Sequence, residues 1–134
     1  MSIDYAKLVP GQSISERSYV LDADAVSRYV AAVGDRTWTA SAGDGPRTAP
    51  PMAVAALSLR GVVVDLEIPG GTLHAGQEFE FSAAVPLGWR LACTATLEQN
   101  SVRGEWRFLV VRVSVRNDDG VVVMEGKSTL MLPA

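Results

Sequence analysis

Cysteine and histidine are almost absent from this chain, and their scarcity excludes two kinds of structure. Cys93 is the only cysteine among 134 residues, so no internal disulfide can form. No spacing of cysteine and histidine indicates a structural zinc site, and nothing in the sequence indicates a cofactor. We therefore expect a cytoplasmic protein without a bound metal, in which Cys93 is a buried and unreactive thiol.

Excess positive charge and long apolar runs are also missing. The formal net charge is −3, and lysine and arginine form no stripe that could contact nucleic acid. The longest apolar run, residues 52–66, is interrupted by Ser58, Arg60 and Asp65 and is too short to span a membrane. The N-terminus lacks a basic segment followed by a hydrophobic stretch. We therefore expect no nucleic-acid partner, no membrane insertion and no signal peptide.

The first part of the chain predicts a strand, a helix and a long loop. Residues 13–21 alternate as a strand does. Asp22 is placed as the N-cap of a helix over residues 23–33, and Gly34 as its left-handed C-terminal cap. Residues 35–51 show no periodicity and are rich in glycine and proline, which predicts a loop that carries ligand contacts. A surface excursion without function is the alternative.

The middle of the chain predicts a helix enclosed by protein. Residues 52–66 are apolar on every side, and such a helix has to be surrounded. Pro51 suits its first turn, where a backbone N–H has no intrahelical partner. Gly61 lies in the interior, where glycine costs about 1 kcal/mol relative to alanine, so we expect another element to approach closely there.

The remainder predicts four antiparallel strands, over residues 73–83, 91–99, 105–116 and 121–132. Hairpin turns are expected at residues 100–104 and 117–120. Simple alternation places His74 with Glu78 and Glu80 on a polar face, opposite Phe79. The strand over residues 105–116 is apolar on both faces through its middle and should lie centrally in the sheet.

These elements predict a single α+β domain over residues 1–134, with an antiparallel sheet of about five strands wrapped around the central helix. No repeat or low-complexity segment interrupts the order. Proteins commonly cover an open sheet edge and an exposed apolar flank by pairing. We therefore expect a homodimer, or a heterodimer with another chain of the same fold.

Three local motifs carry a resemblance to a known family. A Gly-Asp pair ends the first helix at residues 34–35, Ala-Pro-Pro precedes the central helix at residues 49–51, and LHAGQEFEF at residues 73–81 runs into a Pro-x-Gly turn. Over nearly its whole length the chain thus resembles the MaoC-like and fungal-type fatty-acid-synthase dehydratase domains of the hot-dog fold. The resemblance implies binding of an acyl thioester of coenzyme A or acyl carrier protein. It also implies addition of water across a 2-enoyl thioester, with the pantetheine arm entering along a subunit interface.

The resemblance further implies which residues act. Active members of the family use an aspartate and a histidine in a loop of the form D-x-N-P-x-H, and here Asp35 stands at the aspartate position but Ala40 at the histidine position. General acid–base catalysis accelerates such a reaction about 10²–10⁴-fold, so the absence of the histidine should lower the rate. The histidine could come from a partner subunit or from His74. A structural role is the alternative for His74.

Ligand contacts are implied around the loop and both helices. The family's central helix opens with a glycine whose N–H polarises the thioester carbonyl. Pro51 takes that position and has no N–H, so the N–H of Met52 is the expected substitute. The other candidates for contacting the acyl chain or a coenzyme A phosphate are Trp38, Tyr29, Arg47 and Arg60. For Tyr29 a place in the core is the alternative.

Three functions remain open from the sequence. The first is an acyl-thioester hydratase or dehydratase with an incomplete Asp/His dyad, active alone or only with a partner subunit. The second is a non-catalytic partner that houses the acyl chain while another hot-dog chain performs the reaction. The third is a thioesterase, which would need a carboxylate that residues 52–59 of the central helix lack.

Overall fold

A computed structural model describes residues 3–34 and 48–134 of the protein. After a single 3₁₀ turn, Tyr5–Lys7, the described elements are β1 Ser13–Val20, α1 Ala23–Val33, α2 Pro51–Asp65, β2 Leu73–Phe81, β3 Arg90–Arg103, β4 Trp106–Arg116 and β5 Val122–Pro133. The five strands form one antiparallel sheet in the order β1-β3-β4-β5-β2. This confirms the α+β class, the hot-dog arrangement and the sheet of about five strands.

Helix α1 begins and ends at the predicted residues. The Asp22 carboxylate accepts a hydrogen bond from the Ala25 N–H at 2.8 Å, which satisfies one of the free donors of the first turn. Gly34 ends the helix in the left-handed region, with φ of 75°. These local signals fix where the chain leaves α1.

Helix α2 lies against one face of the sheet and is only partly enclosed. Its buried residues face the sheet, mainly strand β1. On the other side the side chains of Met52, Val63 and Val64 are 49–55% exposed. The prediction of a fully surrounded helix is therefore wrong for the described part of one chain, because a single sheet can cover only one side of a helix.

The close approach predicted at Gly61 is confirmed. A β-carbon at this position would lie 2.6 Å from Cδ of Arg17 and 3.2 Å from Oγ of Ser15. Both side chains come from β1, which crosses α2 here. Glycine lets the strand and the helix approach closely enough for these two residues to reach Asp65 at the end of α2.

The core lies between α2 and the sheet, and β4 occupies the centre of the sheet as predicted. Core-facing residues of β4 such as Leu109, Val111 and Val113 are fully buried. On the opposite face Arg112 forms an ion pair with Glu98, so that side of β4 carries charge. Within residues 3–34 and 48–134, neither helix combines the length and the apolar character that a membrane span requires.

The turn between β3 and β4 is shorter than predicted. Strand β3 continues to Arg103, which pairs with Trp106, and the turn consists of Gly104 and Glu105. The prediction of a turn over residues 100–104 is wrong because Asn100 has partners elsewhere in the fold. Its amide donates hydrogen bonds to the carbonyl oxygens of Tyr5 and Leu8, at 2.8 and 2.9 Å.

The turn over residues 117–120 is confirmed. The side-chain oxygen of Asn117 accepts hydrogen bonds from the N–H groups of Asp119 and Val121, both at 3.0 Å. Gly120 has a positive φ of 77°, which glycine adopts without strain. Local turn chemistry therefore decides this connection.

A bulge in β2 changes the face on which His74 lies. The pairing with β5 shifts between His74 and Gly76, so His74 is directly opposite Leu130. Directly opposite residues share a face, and the side chain of Leu130 is buried on the core side. His74 is thus on the same face as Phe79, and its predicted place beside the glutamates is wrong. It remains exposed because β2 is an edge strand.

Candidate functional site

Helices α1 and α2 border a groove made of two adjoining cavities of about 310 and 340 Å³, which we call the α1–α2 groove. Four residues line both cavities: Ala25 and Arg28 of α1, and Leu57 and Arg60 of α2. The first cavity continues towards β1 and the C-terminal half of α2. The second continues along α1 to Tyr29 and Ala32, and along α2 to Ala56. Its walls are apolar apart from the arginines and the tyrosine hydroxyl.

The residues that line the groove show how the two helices are oriented. The first cavity is lined by Ala25, at the start of α1, and by Val64, near the end of α2. The second cavity is lined by Ala32, near the end of α1, and by Ala56, in the first half of α2. The helices therefore lie antiparallel, and the C-terminus of α1 is directed towards the first turn of α2. The positive end of the α2 dipole lies in that direction, about one helical turn beyond Ala56.

The first turn of α2 has no side-chain cap. Its N-cap residue, Pro50, makes no capping hydrogen bond, and Pro51 follows at the first helical position. Because neither proline has an N–H, the first backbone donor of the helix belongs to Met52. The preceding segment is fixed by a hydrogen bond from the N–H of Ala49 to the carbonyl of Val85, at 2.8 Å.

A buried polar cluster forms the floor of the first cavity. The hydroxyl groups of Tyr19 and Ser58 are 2.7 Å apart, and the Cys93 thiol donates to the Ser58 carbonyl at 3.5 Å. Burial raises the pKa of Tyr19 to about 12 and that of Cys93 to about 11. Both groups are therefore neutral at physiological pH and do not act as bases or nucleophiles. The predicted burial of Cys93 is confirmed.

Asp65 is the carboxylate at the far end of α2, and it already has partners. The Arg17 guanidinium donates two hydrogen bonds to it, at 2.6 and 3.0 Å, and the Ser15 hydroxyl donates a third. These hydrogen bonds, with that of Arg17 the largest contribution, lower the pKa of Asp65 to about 2. The carboxylate is consequently ionised at neutral pH and holds β1 to α2.

The structure brings together four of the residues predicted from sequence. Tyr29 and Arg60 line the α1–α2 groove, and Pro51 and Met52 form the end of α2 to which α1 is directed. Three other predicted residues, Asp35, Trp38 and Arg47, lie outside the described residues, as does Ala40. Asp35 directly follows Gly34 in sequence, at the end of α1.

His74 is not brought to the first turn of α2 within one chain. It belongs to a row across the sheet that continues through Leu130 of β5 and Leu109 of β4 to Asn100 of β3. Asn100 donates to the Tyr5 carbonyl, and the Tyr5 hydroxyl in turn donates to the carbonyl of Leu66, just after α2, at 2.6 Å. His74 therefore lies level with the C-terminal end of α2.

The first turn of α2 is near the opposite end of β2. Val85, which follows that end, holds Ala49 just before α2. From His74 to Phe81, β2 covers roughly 20 Å at the usual rise of a strand. The only histidine of the chain and the first turn of its central helix are thus separated by most of the length of the sheet.

Several residues that line the groove were not singled out from the sequence, and Arg28 is the charged one that borders both cavities besides Arg60. It lies on α1, opposite Arg60 of α2. Its only signal in the sequence is that it adjoins Tyr29 at the edge of the apolar stripe of α1. The pairing with Arg60 depends on how the helices pack, so no local pattern reveals it.

The chain is similar to a known protein family and to several solved structures. The family profile described as "FAS1-like, dehydratase domain region" matches residues 8–126. No curated protein sequence matches the chain. The R-hydratase PhaJ1 from Pseudomonas aeruginosa, in its unliganded form, superposes with a TM-score of 0.80 at 25% identity, over 98% of this chain and 86% of its own.

Two further structures are complexes from Mycobacterium tuberculosis. The C-terminally truncated HadBC (3R-hydroxyacyl-ACP dehydratase) complex gives a TM-score of 0.75 at 21% identity, over 98% of this chain and 100% of the other. The ChsH1–ChsH2 complex gives 0.70 at 16% identity, over 92% and 98%. At these identities the two complexes show a shared fold and no more.

Proposed function

We propose an acyl-thioester function for this chain because the chain belongs to the family of FAS1-like dehydratase domains. It binds a 2-enoyl or 3-hydroxyacyl thioester of coenzyme A or acyl carrier protein in the cytoplasm, and takes part in the reversible addition of water. A partner subunit of the same fold supplies the histidine that this chain lacks at residue 40. The similarity to an R-hydratase and to the HadBC dehydratase complex supports this proposal.

The α1–α2 groove is the observation that carries the proposal. Its second cavity is apolar apart from Arg28, Arg60 and the Tyr29 hydroxyl, and it runs along α2 as far as Ala56. The uncapped first turn of α2 lies about one turn beyond Ala56, and Asp35 follows the end of α1 in sequence. An acyl thioester needs an apolar wall for its chain and a donor for its carbonyl oxygen. The groove offers the first and the N–H of Met52 the second.

Three groups of the protein take part in the reaction. In hydration the oxygen of water bonds to C3 of the enoyl thioester while a proton is added at C2. Asp35 orients the water, and the partner's histidine transfers the proton. Negative charge that develops on the carbonyl oxygen is stabilised by the N–H of Met52 together with the α2 dipole.

The test is to offer crotonyl-coenzyme A and longer 2-enoyl thioesters to the pure protein, alone and with a candidate partner subunit. Loss of the enoyl absorbance reports hydration. We expect turnover in the presence of the partner and little without it. If there is neither turnover nor thioester binding in both settings, the proposal is wrong.

A non-catalytic role is the second candidate, favoured by Ala40 and by Pro51 at the two positions where the family uses a histidine and a donor N–H. In that case the chain houses the acyl tail while its partner performs both proton transfers. Asp35→Asn separates the two candidates. It lowers the rate of the reconstituted complex by about 10²-fold or more if Asp35 acts, and leaves the rate unchanged if it does not.

A thioesterase has less support, because the first half of α2 carries no carboxylate. The same assay mixture distinguishes it. Hydrolysis releases a free thiol, which a thiol reagent detects, whereas hydration leaves the thioester intact. Thiol release at the rate of enoyl loss would replace the hydratase proposal with hydrolysis.

A further inference from the structure

The two cavities of the α1–α2 groove differ in the polarity of their walls. Among the described residues, those that line the second cavity are alanine and leucine apart from Tyr29 and the two arginines. The first cavity is also lined by side chains that carry a charge or a hydroxyl group, which are Arg17, Ser18, Tyr19, Asp22 and Ser58. Arg28 and Arg60 line both cavities and therefore lie where the apolar wall meets the polar one.

The polar cavity is the one farther from the first turn of α2. The second cavity reaches Ala56, about one turn beyond Met52, whereas the first reaches Val64, near the other end of the helix. From Met52 to Arg60 the helix rises about 12 Å. With its carbonyl at the N–H of Met52, an extended acyl chain of medium length therefore passes the apolar wall and ends beside the arginines.

The side chains of these two arginines are unpaired. Of the residues that the structure describes, none forms a hydrogen bond or an ion pair with Arg28 or Arg60. Arg17, the third arginine of the first cavity, donates two hydrogen bonds to Asp65 and is thereby occupied. The guanidinium groups of Arg28 and Arg60 are thus the ones available to the end of an acyl chain.

Positive charge exceeds negative charge around the polar end of the groove. Asp22 is the one acidic residue among the described residues that line the first cavity, and its carboxylate accepts the capping hydrogen bond from Ala25. Two unpaired guanidinium groups therefore outnumber a single carboxylate, in a chain whose net charge is −3. An acyl chain that ends in an anion is stabilised here, because each guanidinium can direct two N–H donors at the same pair of oxygens.

The buried hydroxyl groups of the first cavity do not select a particular chain end. Those of Tyr19 and Ser58 are 2.7 Å apart, and the Tyr19 hydroxyl also donates to the Val54 carbonyl at 3.3 Å. Because these groups already have partners within the fold, they gain little from a hydroxyl on the ligand. The unpaired arginines are the groups that distinguish one chain end from another, and they favour a carboxylate.

We propose that the acyl chain bound in the α1–α2 groove ends in a carboxylate, and that Arg28 and Arg60 bind this carboxylate. The substrate is then the monothioester of a medium-chain dicarboxylic acid. This inference rests on the proposed function and specifies the end of the acyl chain that lies farthest from the thioester. It applies whether the chain takes part in the hydration or only houses the acyl tail.

The experiment compares coenzyme A thioesters of equal chain length that differ only at the far end of the chain. Sebacyl-, ω-hydroxydecanoyl- and decanoyl-coenzyme A carry a carboxylate, a hydroxyl and a methyl group there, and none of them can be hydrated. Calorimetry measures their binding to the full chain, alone and with the candidate partner subunit. We expect sebacyl-coenzyme A to bind about 10-fold more tightly than the other two, as charge-assisted hydrogen bonds allow.

Two further comparisons test the assignment to the arginines. In Arg28→Gln combined with Arg60→Gln, sebacyl- and decanoyl-coenzyme A should bind equally, and retained binding of decanoyl-coenzyme A shows that the variant is folded. Arg90→Gln, which removes an exposed arginine outside the groove, should keep the difference. Succinyl-coenzyme A should bind no more tightly than butyryl-coenzyme A, because its carboxylate is too close to the thioester to reach the arginines.

The outcomes separate this inference from the proposed function. Equal binding of sebacyl- and decanoyl-coenzyme A by the unaltered protein overturns the carboxylate site and leaves the thioester function standing. The carboxylate site is also overturned if the double variant keeps the preference, if the hydroxyl tightens binding as much as the carboxylate does, or if succinyl-coenzyme A shows the same gain. Binding of none of the thioesters, with or without the partner subunit, overturns both proposals.

Discussion

Arg17 lies across the backbone of Gly61, so that a β-carbon on Gly61 would be 2.6 Å from Cδ of Arg17. The same arginine is tied to Asp65, one helical turn further along α2, by two hydrogen bonds. Glycine at residue 61 therefore leaves room for Arg17 of β1 to bind Asp65 of the central helix. The contact also places Arg17 beside the α1–α2 groove.

We expect Gly61→Ala to destabilise the protein, although alanine favours a helix by about 1 kcal/mol. The added methyl forces Arg17 away from Asp65, and overpacking of this kind costs about 1–3 kcal/mol. In an Arg17→Ala background the closest obstacle is gone and only the 3.2 Å contact with Oγ of Ser15 remains, so the same substitution should cost much less stability. Urea unfolding of the four proteins measures both effects. If Gly61→Ala changes stability equally in both backgrounds, the contact does not explain the glycine.

A matched control comes from the same helix. Ala56 is an exposed residue in the interior of α2. Ala56→Gly should cost about 1 kcal/mol, which is the ordinary penalty of glycine in a helix. Comparing it with Gly61→Ala separates helix propensity from the contact with Arg17.

Asp65 should make stability depend on pH in the acid range. Its pKa is about 2 in the folded protein, against an ordinary value of 3.8, so the folded state favours the ionised form. The stabilisation is fully present above about pH 4 and is lost as the pH falls towards 2. We expect Asp65→Asn to be less stable than the unaltered protein at pH 6, with the difference shrinking towards pH 2. A difference that is constant from pH 6 to pH 2 would exclude this linkage.

Cys93 should react slowly with alkylating reagents while the protein is folded. Burial raises the pKa of its thiol from 9.0 to about 11, which leaves roughly 100-fold less thiolate at pH 8. Mass spectrometry after iodoacetamide treatment measures the reaction, with the urea-unfolded protein as the control. Comparable rates in the two states would show that the floor of the groove opens readily.

Local signals in the sequence were sufficient for the helices and for most strand boundaries. Asp22 and Gly34 fix both ends of α1 by their own capping geometry. His74 was assigned to the wrong face because strict alternation assumes a strand without a bulge. Gly76, a glycine in the interior of a strand, was the one available sign of that bulge. Asn100 was assigned to a turn because its contact with Tyr5 is not local.

The candidate site was predictable only in part. Tyr29 and Arg60 could be singled out because each belongs to a helix with a recognisable pattern. Arg28 could not, because its importance comes from packing against a second helix. The separation of His74 from the first turn of α2 depends on the register between strands, and no local sequence pattern reveals that register.

The most direct test of the central claim is where an acyl thioester contacts the chain. Decanoyl-coenzyme A is suitable because a saturated thioester cannot be hydrated, and backbone amide NMR shifts report its position during titration. We predict saturable shifts at Met52, Ala56 and Arg60 in α2 and at Arg28 in α1, with none at Arg112 on the outer face of the sheet. Shifts confined to the outer face, or no shifts at saturating thioester, would contradict the account.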